Sequence, residues 1–274
     1  MNADDFGLTA GVNRAIVELH EAGVLPSATL MARARATDDA IAMALERPSL
    51  GVGCHVVLVD GKPVLPPEEI SSLVDPNTGE FYVTLGKFLP RVLTGHVRGE
   101  EIEAEAAAQI GLLQSHGLKL THIDTHKHTH MFPPVLRAVL RAAKTAGIGA
   151  VRNPFEPEWA VQTAKRAAWM RRTEVMVLRK MGPACLRIMH AEGFRTTDGT
   201  IAVAATGILD ESGVRALLEQ LPEGLWELVT HPGYNDAELG QVRTRLRASR
   251  ELERQALLTI SGVRGVELES FAAV

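Results

Sequence analysis

Short apolar runs alternate with longer stretches of helical spacing along most of this 274-residue chain. Val12, Ile16, Leu19 and Val24 recur three to five residues apart. That spacing predicts an amphipathic helix reaching about Glu21, with Thr9 placed to cap it and Gly23 and Pro26 to stop it. Residues 28–32 are a short apolar strand. Thr37 opens a second helix, DDAIAMALER, ended by Pro48. Residues 50–57, LGVGCHVV, form the next strand and carry His55 near its C-terminal end. Residues 100–116 place Ile102, Ala106, Ile110 and Leu113 on one helical face, and Gly117 stops them. Pro133 and Pro134 start another helix with Val135, Leu136, Val139, Leu140 and Ala143 as its apolar positions. Brief strands are expected at 150–152, 201–205, 225–230 and 265–268, and helices at 210–221, capped by Asp210, and at 242–260.

Two stretches interrupt this alternation. Residues 58–95 hold Gly61, Pro63, Pro66, Pro67, Pro76, Gly79 and Gly86, which reads as a long excursion outside the core. Residues 157–192 read as a second, largely helical excursion. Strand and helix otherwise follow one another, as in a mainly parallel sheet with crossover helices. The expected fold is therefore α/β: a single (β/α) barrel-like domain over residues 1–274, irregular rather than ideal.

The run 118–134, LKLTHIDTHKHTHMFPP, breaks the ordinary pattern. His122, Asp124, His126, His128 and His130 fall on every second residue. In an extended segment they share one face at roughly 6.5–7 Å spacing. One ion cannot collect five side chains from such a ladder. One or two of them are expected to be ligands, and the rest to orient the site or touch a substrate.

Composition narrows the field. The chain is 46% hydrophobic and 23% charged, with formal net charge -4 and a pI of about 6.2. A general nucleic-acid binder would show a basic excess, so none is expected. Cys54 and Cys185 are too few for a disulfide framework. The N-terminal residues MNADDFGL lack the basic-then-apolar pattern of a signal peptide, and no apolar run approaches the ~18 residues of a membrane span. The expected location is cytoplasmic. One local exception stands against the acidic average: Lys165, Arg166, Arg171, Arg172, Arg179, Lys180 and Arg187 face only Glu174 across residues 165–187. The plain reading is an exposed helix packed on one side. The functional readings are a substrate lid or a helix that touches a membrane surface transiently.

Four apolar strands end in residues that bind metals or move protons: Asp4 and Asp5, His55, the 122–130 ladder, and His231. In a parallel α/β barrel all strands end on one face, where active sites are built. Two carboxylates in one site can divide their roles, one ionised on a metal and the other a base. A carboxylate with two imidazoles leaves open positions on a divalent ion.

NADDFGLTAGVN, GVGCHVVLVDGKPVLPP, THIDTHKHTHMFPP and ELVTHPGY, in this order, resemble the YdjC-like carbohydrate deacetylases. That family includes chito-oligosaccharide deacetylases and hopanoid-biosynthesis-associated deacetylases. The resemblance implies a barrel-like fold, one divalent metal ion (magnesium or zinc, which the donors do not separate) and hydrolysis of an N-acetyl group from an amino sugar. It implies that Asp5, His55 and His126 bind the metal, that Asp4 is the general base and that His231 is the general acid. Asp124, His128, His130 and Arg152 would then contact substrate or support the ligands, and a homodimer fits the family. Met1 directly precedes Asn2 where family members carry several apolar residues, so either the sequence starts late or its first strand is truncated. Two other readings suit the same residues: a different metal hydrolase such as a phosphoesterase, with Arg152 as its nearest basic clamp, or a non-catalytic carbohydrate- or metal-binding protein.

Overall fold

The structure, a computed structural model, describes residues 1–260 and 266–274. Its strands are β1 (Asn2–Phe6), β2 (Ser27–Leu30), β3 (Gly51–Val56), β4 (Ile123–Thr125), β5 (Gly199–Ile201) and β6 (Trp226–Thr230). They form one parallel sheet in the order β4-β3-β2-β1-β6-β5. Nearly every strand residue is buried, as expected when helices cover one face and the curled sheet closes over the other. The strand expected at 150–152 shrinks to two parallel bridges, Ile123 with Val151 and Ala150 with Arg195. These carry the curl from β4 round toward the segment leading into β5. The sheet is thus a barrel-like half-cylinder, and β1 keeps five residues, paired on both sides.

The helices are α1 (Ala10–Glu21), α2 (Thr37–Leu45), α3 (Leu85–Leu93), α4 (Gly99–Ser115), α5 (Pro133–Thr145), α6 (Glu158–Thr163), α7 (Trp169–Arg179), α8 (Gly182–Ala191), α9 (Glu211–Glu219) and α10 (Ala248–Thr259). Thr9 Oγ1 accepts from Val12 N at 3.2 Å and starts α1. Asp210 caps α9 through Gly213 N at 2.9 Å. No helix among the described residues is long and apolar enough to cross a membrane.

Several expectations give way. The strand expected at 201–205 ends at Ile201, because Ala202 takes φ 75° and turns the chain. The helix expected over 242–260 begins only at Ala248: Thr244 Oγ1 accepts from Leu246 N at 3.0 Å, a local bond that competes with helix. Of the strand expected at 265–268, Gly265 lies outside the described residues and 266–268 are not strand. Residues 58–95 do not stand outside the core. Ile70, Leu73, Phe81 and Phe88 are buried in it. Two carboxylates of α4 anchor this excursion by accepting backbone N–H groups: Glu105 from Val64 and Leu65 at 2.8 and 3.0 Å, and Glu101 from Ser72 at 2.8 Å.

β3 shows how the interior is filled. Gly51, Gly53 and His55 alternate toward the inside of the curl, and Val52, Cys54 and Val56 pack outward in the core. A Cβ on Gly53 would lie 2.5 Å from the His122 ring, and one on Gly51 would lie 2.6 Å from Ser270 Oγ. The two glycines therefore make room at the N-terminal end for His122, which stacks on Phe271 with centroids 3.8 Å apart. Burial lowers His122 to about 3, so it is a neutral plug there.

Glu156 fixes the turn after β5. Its Oε2 accepts from Ala204 N at 2.7 Å, while its buried Oε1 has no partner. Burial pushes its pKa up to about 7. The native state therefore holds this proton more tightly than the unfolded chain does. The stability it contributes is complete below the unfolded value near 4.5 and is lost as pH rises through about 7. Glu156→Gln should abolish that part of the pH dependence, worth up to ~3 kcal/mol. Melting curves at mildly acidic and mildly alkaline pH check this, and equal slopes for variant and wild type would refute it.

Candidate active site

β1 opens the site with an irregularity. Ala3 pairs with Ala28 and Phe6 with Leu30, so Asp4 and Asp5 together oppose the single residue Thr29. Asp5 is the bulged residue, with φ 66°. A regular strand would send adjacent side chains to opposite faces. The bulge turns both carboxylates to the same side.

β3 and β4 bring the imidazoles. His55 and Asp124 are register partners, and His55 Nδ1 lies 2.8 Å from Asp124 Oδ1. In the neutral ring, donation of Nδ1–H to that carboxylate directs the Nε2 lone pair toward the donor set. Nε2 lies 3.2 Å from His126 Nδ1 and 3.5 Å from Asp5 Oδ1, and His126 Nδ1 lies 3.2 Å from Asp5 Oδ1. Asp5 Oδ1 is buried and has no hydrogen-bond partner. Ligand bonds of about 2.0–2.2 Å at tetrahedral angles put donor atoms roughly 3.3–3.6 Å apart. The three atoms lie 3.2–3.5 Å apart, at or just under that spacing, and together they are a donor set that fits one divalent cation.

A second group, Asp4, His55 and Asp124, also places its ligand-type atoms within 4.8 Å of one another. There the positive charge is already supplied. Arg152 is fully buried and donates to both oxygens of Asp4 at 2.6 and 3.0 Å, to Glu227 at 2.6 and 2.9 Å, and to Asp124. Burial pushes the Asp4 carboxyl upward, but Arg152 and His55 outweigh it and hold Asp4 far below its ordinary value. Asp5 is likewise raised by burial and more strongly lowered by Arg250, whose guanidinium pairs with Oδ2. Burial lowers His55, yet Asp124, Asp4 and Asp5 carry it up to about 9. Its location therefore favours an added positive charge, whether a proton or a metal.

β6 delivers His231. Its Nε2 lies 3.8 Å from Asp4 Oδ2, and its backbone N–H donates to Glu253 Oε2 at 2.6 Å. Only His126 and His231 of this constellation are open to solvent, at 18% and 13% of their side chains, against 4% or less for Asp4, Asp5, His55, Asp124 and Arg152. A substrate arriving from solvent meets these two imidazoles first.

The histidine ladder is not extended throughout. β4 ends at Thr125, and Lys127 and His128 take φ 55° and 52°, which folds the chain back. Thr125 Oγ1 then receives His130 N at 3.0 Å and lies 2.7 Å from His130 Nδ1. His130 is wholly buried and is lowered to about 4 by burial. His128 stands edge-on to it at 6.3 Å and is lowered for the same reason. Asp124, His130 and Arg152 are wholly buried: Asp124 and Arg152 touch the site through His55 and Asp4, and His130 meets Thr125 and the Arg152 carbonyl. Arg152 is saturated by carboxylates and cannot serve as a phosphate clamp.

Sequence reasoning did not single out Thr29, Glu227, Arg250 or Glu253. Glu227 left a trace, as the one acidic residue in the apolar strand WELVT. Arg250 and Glu253 look like any charged pair on an exposed helix until α10 is seen to bury them.

The family profile described as YdjC-like protein matches residues 1–270. The chain belongs to the YdjC-like family. A carbohydrate deacetylase of Brevibacillus brevis is 35% identical over 236 residues, 86% of this chain and 81% of that protein. A carbohydrate deacetylase of Thermoanaerobacter pseudethanolicus is 29% identical over 257 residues, 94% of this chain and 89% of that one. Among solved structures, a proposed cellobiose-phosphate cleavage protein from Enterococcus faecalis superposes with a TM-score of 0.69 at 25% identity, covering 94% of this chain and 89% of that one.

In this YdjC-like chain, the 2.8 Å contact of Asp124 Oδ1 with His55 Nδ1 suits an orienting role for Asp124. Asp124→Asn should weaken divalent-metal affinity about 10–100-fold with the fold retained. Competition against a chromogenic chelator measures this, and affinity within twofold of wild type would exclude the orienting role.

Proposed function

We propose that this chain is a metal-dependent carbohydrate N-deacetylase that removes acetyl groups from an acetylated amino sugar. The observation that supports this best is the meeting of Asp5 Oδ1, His55 Nε2 and His126 Nδ1 within 3.5 Å of one another, flanked by an ionised Asp4 and by His231. The relatives named carbohydrate deacetylases point the same way.

Asp5, His55 and His126 would hold the metal. Two imidazoles and one carboxylate suit zinc, and the oxygen-rich surroundings admit magnesium. When bound, the metal supplies Lewis acidity toward the acetamide carbonyl and an activated water. The residues of the chain do the rest. Arg152 keeps Asp4 ionised, so Asp4 can take the proton of the attacking water. His231, open to solvent with its Nε2 3.8 Å from Asp4 Oδ2, gives a proton to the departing amine. Arg250 holds Asp5 Oδ2 and leaves Oδ1 free as a donor atom. Glu253 fixes the backbone of His231 and so the position of its ring.

The phosphoesterase reading loses its support because Arg152 is fully committed to carboxylates. A non-catalytic binder remains a test outcome rather than a second proposal. The substrate is either a soluble chito-oligosaccharide or a lipid-linked N-acetylglucosamine.

Acetate release from both substrate types, with and without chelator, tests the reading. Chelation should abolish release, and re-addition of zinc or magnesium should restore it and identify the metal. Asp4→Asn should lower kcat about 10²–10⁴-fold with KM little changed, and His126→Ala should lose both metal and activity. Full turnover by His126→Ala, or tight sugar binding without any acetate release, would contradict the proposal.

A further inference from the structure

α6, α7 and α8 follow the 150–151 bridge and so leave the sheet at its C-terminal end, the end that carries His126 and His231. The inner side of α7 rests on that rim. Val175 packs with Val161, Ala167, Val203, Ala204 and Val229, and Arg171 donates to Val203 O at 3.3 Å. An ordinary surface helix would turn a polar side outward. The outward side of α7 instead carries Trp169, Met170 and Val177, exposed at 74%, 66% and 55%. At 100° per residue these three fall within a 100° arc of the helix, together with Thr173 and Lys180.

Cations surround this stripe. Lys165, Arg172 and Lys180 have no acidic partner among the described residues, whereas Arg166, Arg171 and Arg179 pair with Asp210, Glu174 and Glu158. The local excess of positive charge contrasts with a net charge of -4 for the whole chain. An exposed tryptophan and methionine at a helix tip, ringed by lysine and arginine, combine the two attractions of an interfacial helix: burial of apolar side chains below the headgroups and pairing with anionic headgroups.

We infer that the outward face of α7 docks this protein on an anionic lipid bilayer, with Trp169 and Met170 as the inserted residues. A second copy of the chain fits the face less well. A two-fold contact apposes a patch with itself, and here that would set the same cations against each other. Because the face lies on the rim of the site, docking would hold the His126 and His231 mouth near the membrane. The inference goes beyond the deacetylase reading, and vesicle binding is measured without substrate, so the two can fail separately.

The test uses the full chain and large unilamellar vesicles of phosphatidylcholine with and without phosphatidylglycerol. Wild type should sediment with the anionic vesicles at low salt, release at high salt, and ignore the neutral ones. Tryptophan emission should shift to the blue on binding, since Trp169 is exposed while Trp159 and Trp226 pair edge to face at 5.5 Å. The double variant Trp169→Ser, Met170→Ser should bind at least ~10-fold more weakly. Lys165→Gln, Arg172→Gln and Lys180→Gln should each cost roughly fivefold. Acetate release from a soluble substrate should be unchanged in all of them. Absence of low-salt binding to anionic vesicles would overturn the inference, as would undiminished binding by the double variant. A dimer in light scattering that the double variant dissociates would also overturn it, by assigning the face to a second copy.

Discussion

Negative charge buried at one end of the sheet has to be balanced, and the rest of the site follows from how that is done. Asp4, Asp5, Asp124, Glu227 and Glu253 are all buried there, with Arg152 and Arg250 as the buried guanidiniums. A carboxylate stripped of water is costly unless it is paired or protonated. The two glutamates are pushed toward the protonated form by burial. The three aspartates stay ionised because a guanidinium or an imidazole faces each of them. Three aspartates against two arginines leave a deficit of one positive charge, and the deficit falls at His55. This explains why burial alone fails to lower His55 and why a divalent ion suits the point where Nε2, Asp5 Oδ1 and His126 Nδ1 converge.

Backbone irregularity places those groups. The extra residue in β1 lets neighbouring aspartates share a face, one for Arg152 and one for the donor set. The left-handed pair Lys127 and His128 ends β4 just past His126 and sends the next histidines underneath. Non-glycine residues in this conformation are strained, and the surrounding bonds hold them there. Thr125 does so at the second turn by meeting both the backbone and the ring of His130. α10 supports the site from outside, Arg250 gripping Asp5 and Glu253 gripping His231, one helical turn apart.

Much of this was legible in the chain itself. Apolar runs ending in Asp4-Asp5, His55, the histidine cluster and His231 announced strands that meet at one end, because parallel topology leaves few other arrangements. The alternation through 122–130 misled, since period-two spacing marks a strand only where the backbone stays extended. Residues 58–95 misled too: their glycines and prolines marked turns correctly, but Glu101 and Glu105 on a separate helix tie those turns down over a buried core. Arg250 and Glu253 were invisible for a related reason. Their roles depend on which side of α10 meets the sheet, and charged residues at helical spacing look the same whether they face solvent or a buried aspartate.

The proposed divalent cation has a single place, defined by three atoms. Anomalous scattering from crystals soaked in zinc or manganese measures this directly. The expected result is one peak per chain, about 2.0–2.2 Å from Asp5 Oδ1, His55 Nε2 and His126 Nδ1. A peak between Asp4 and Asp124, a pair of peaks, or no peak with the three donors in place would contradict it.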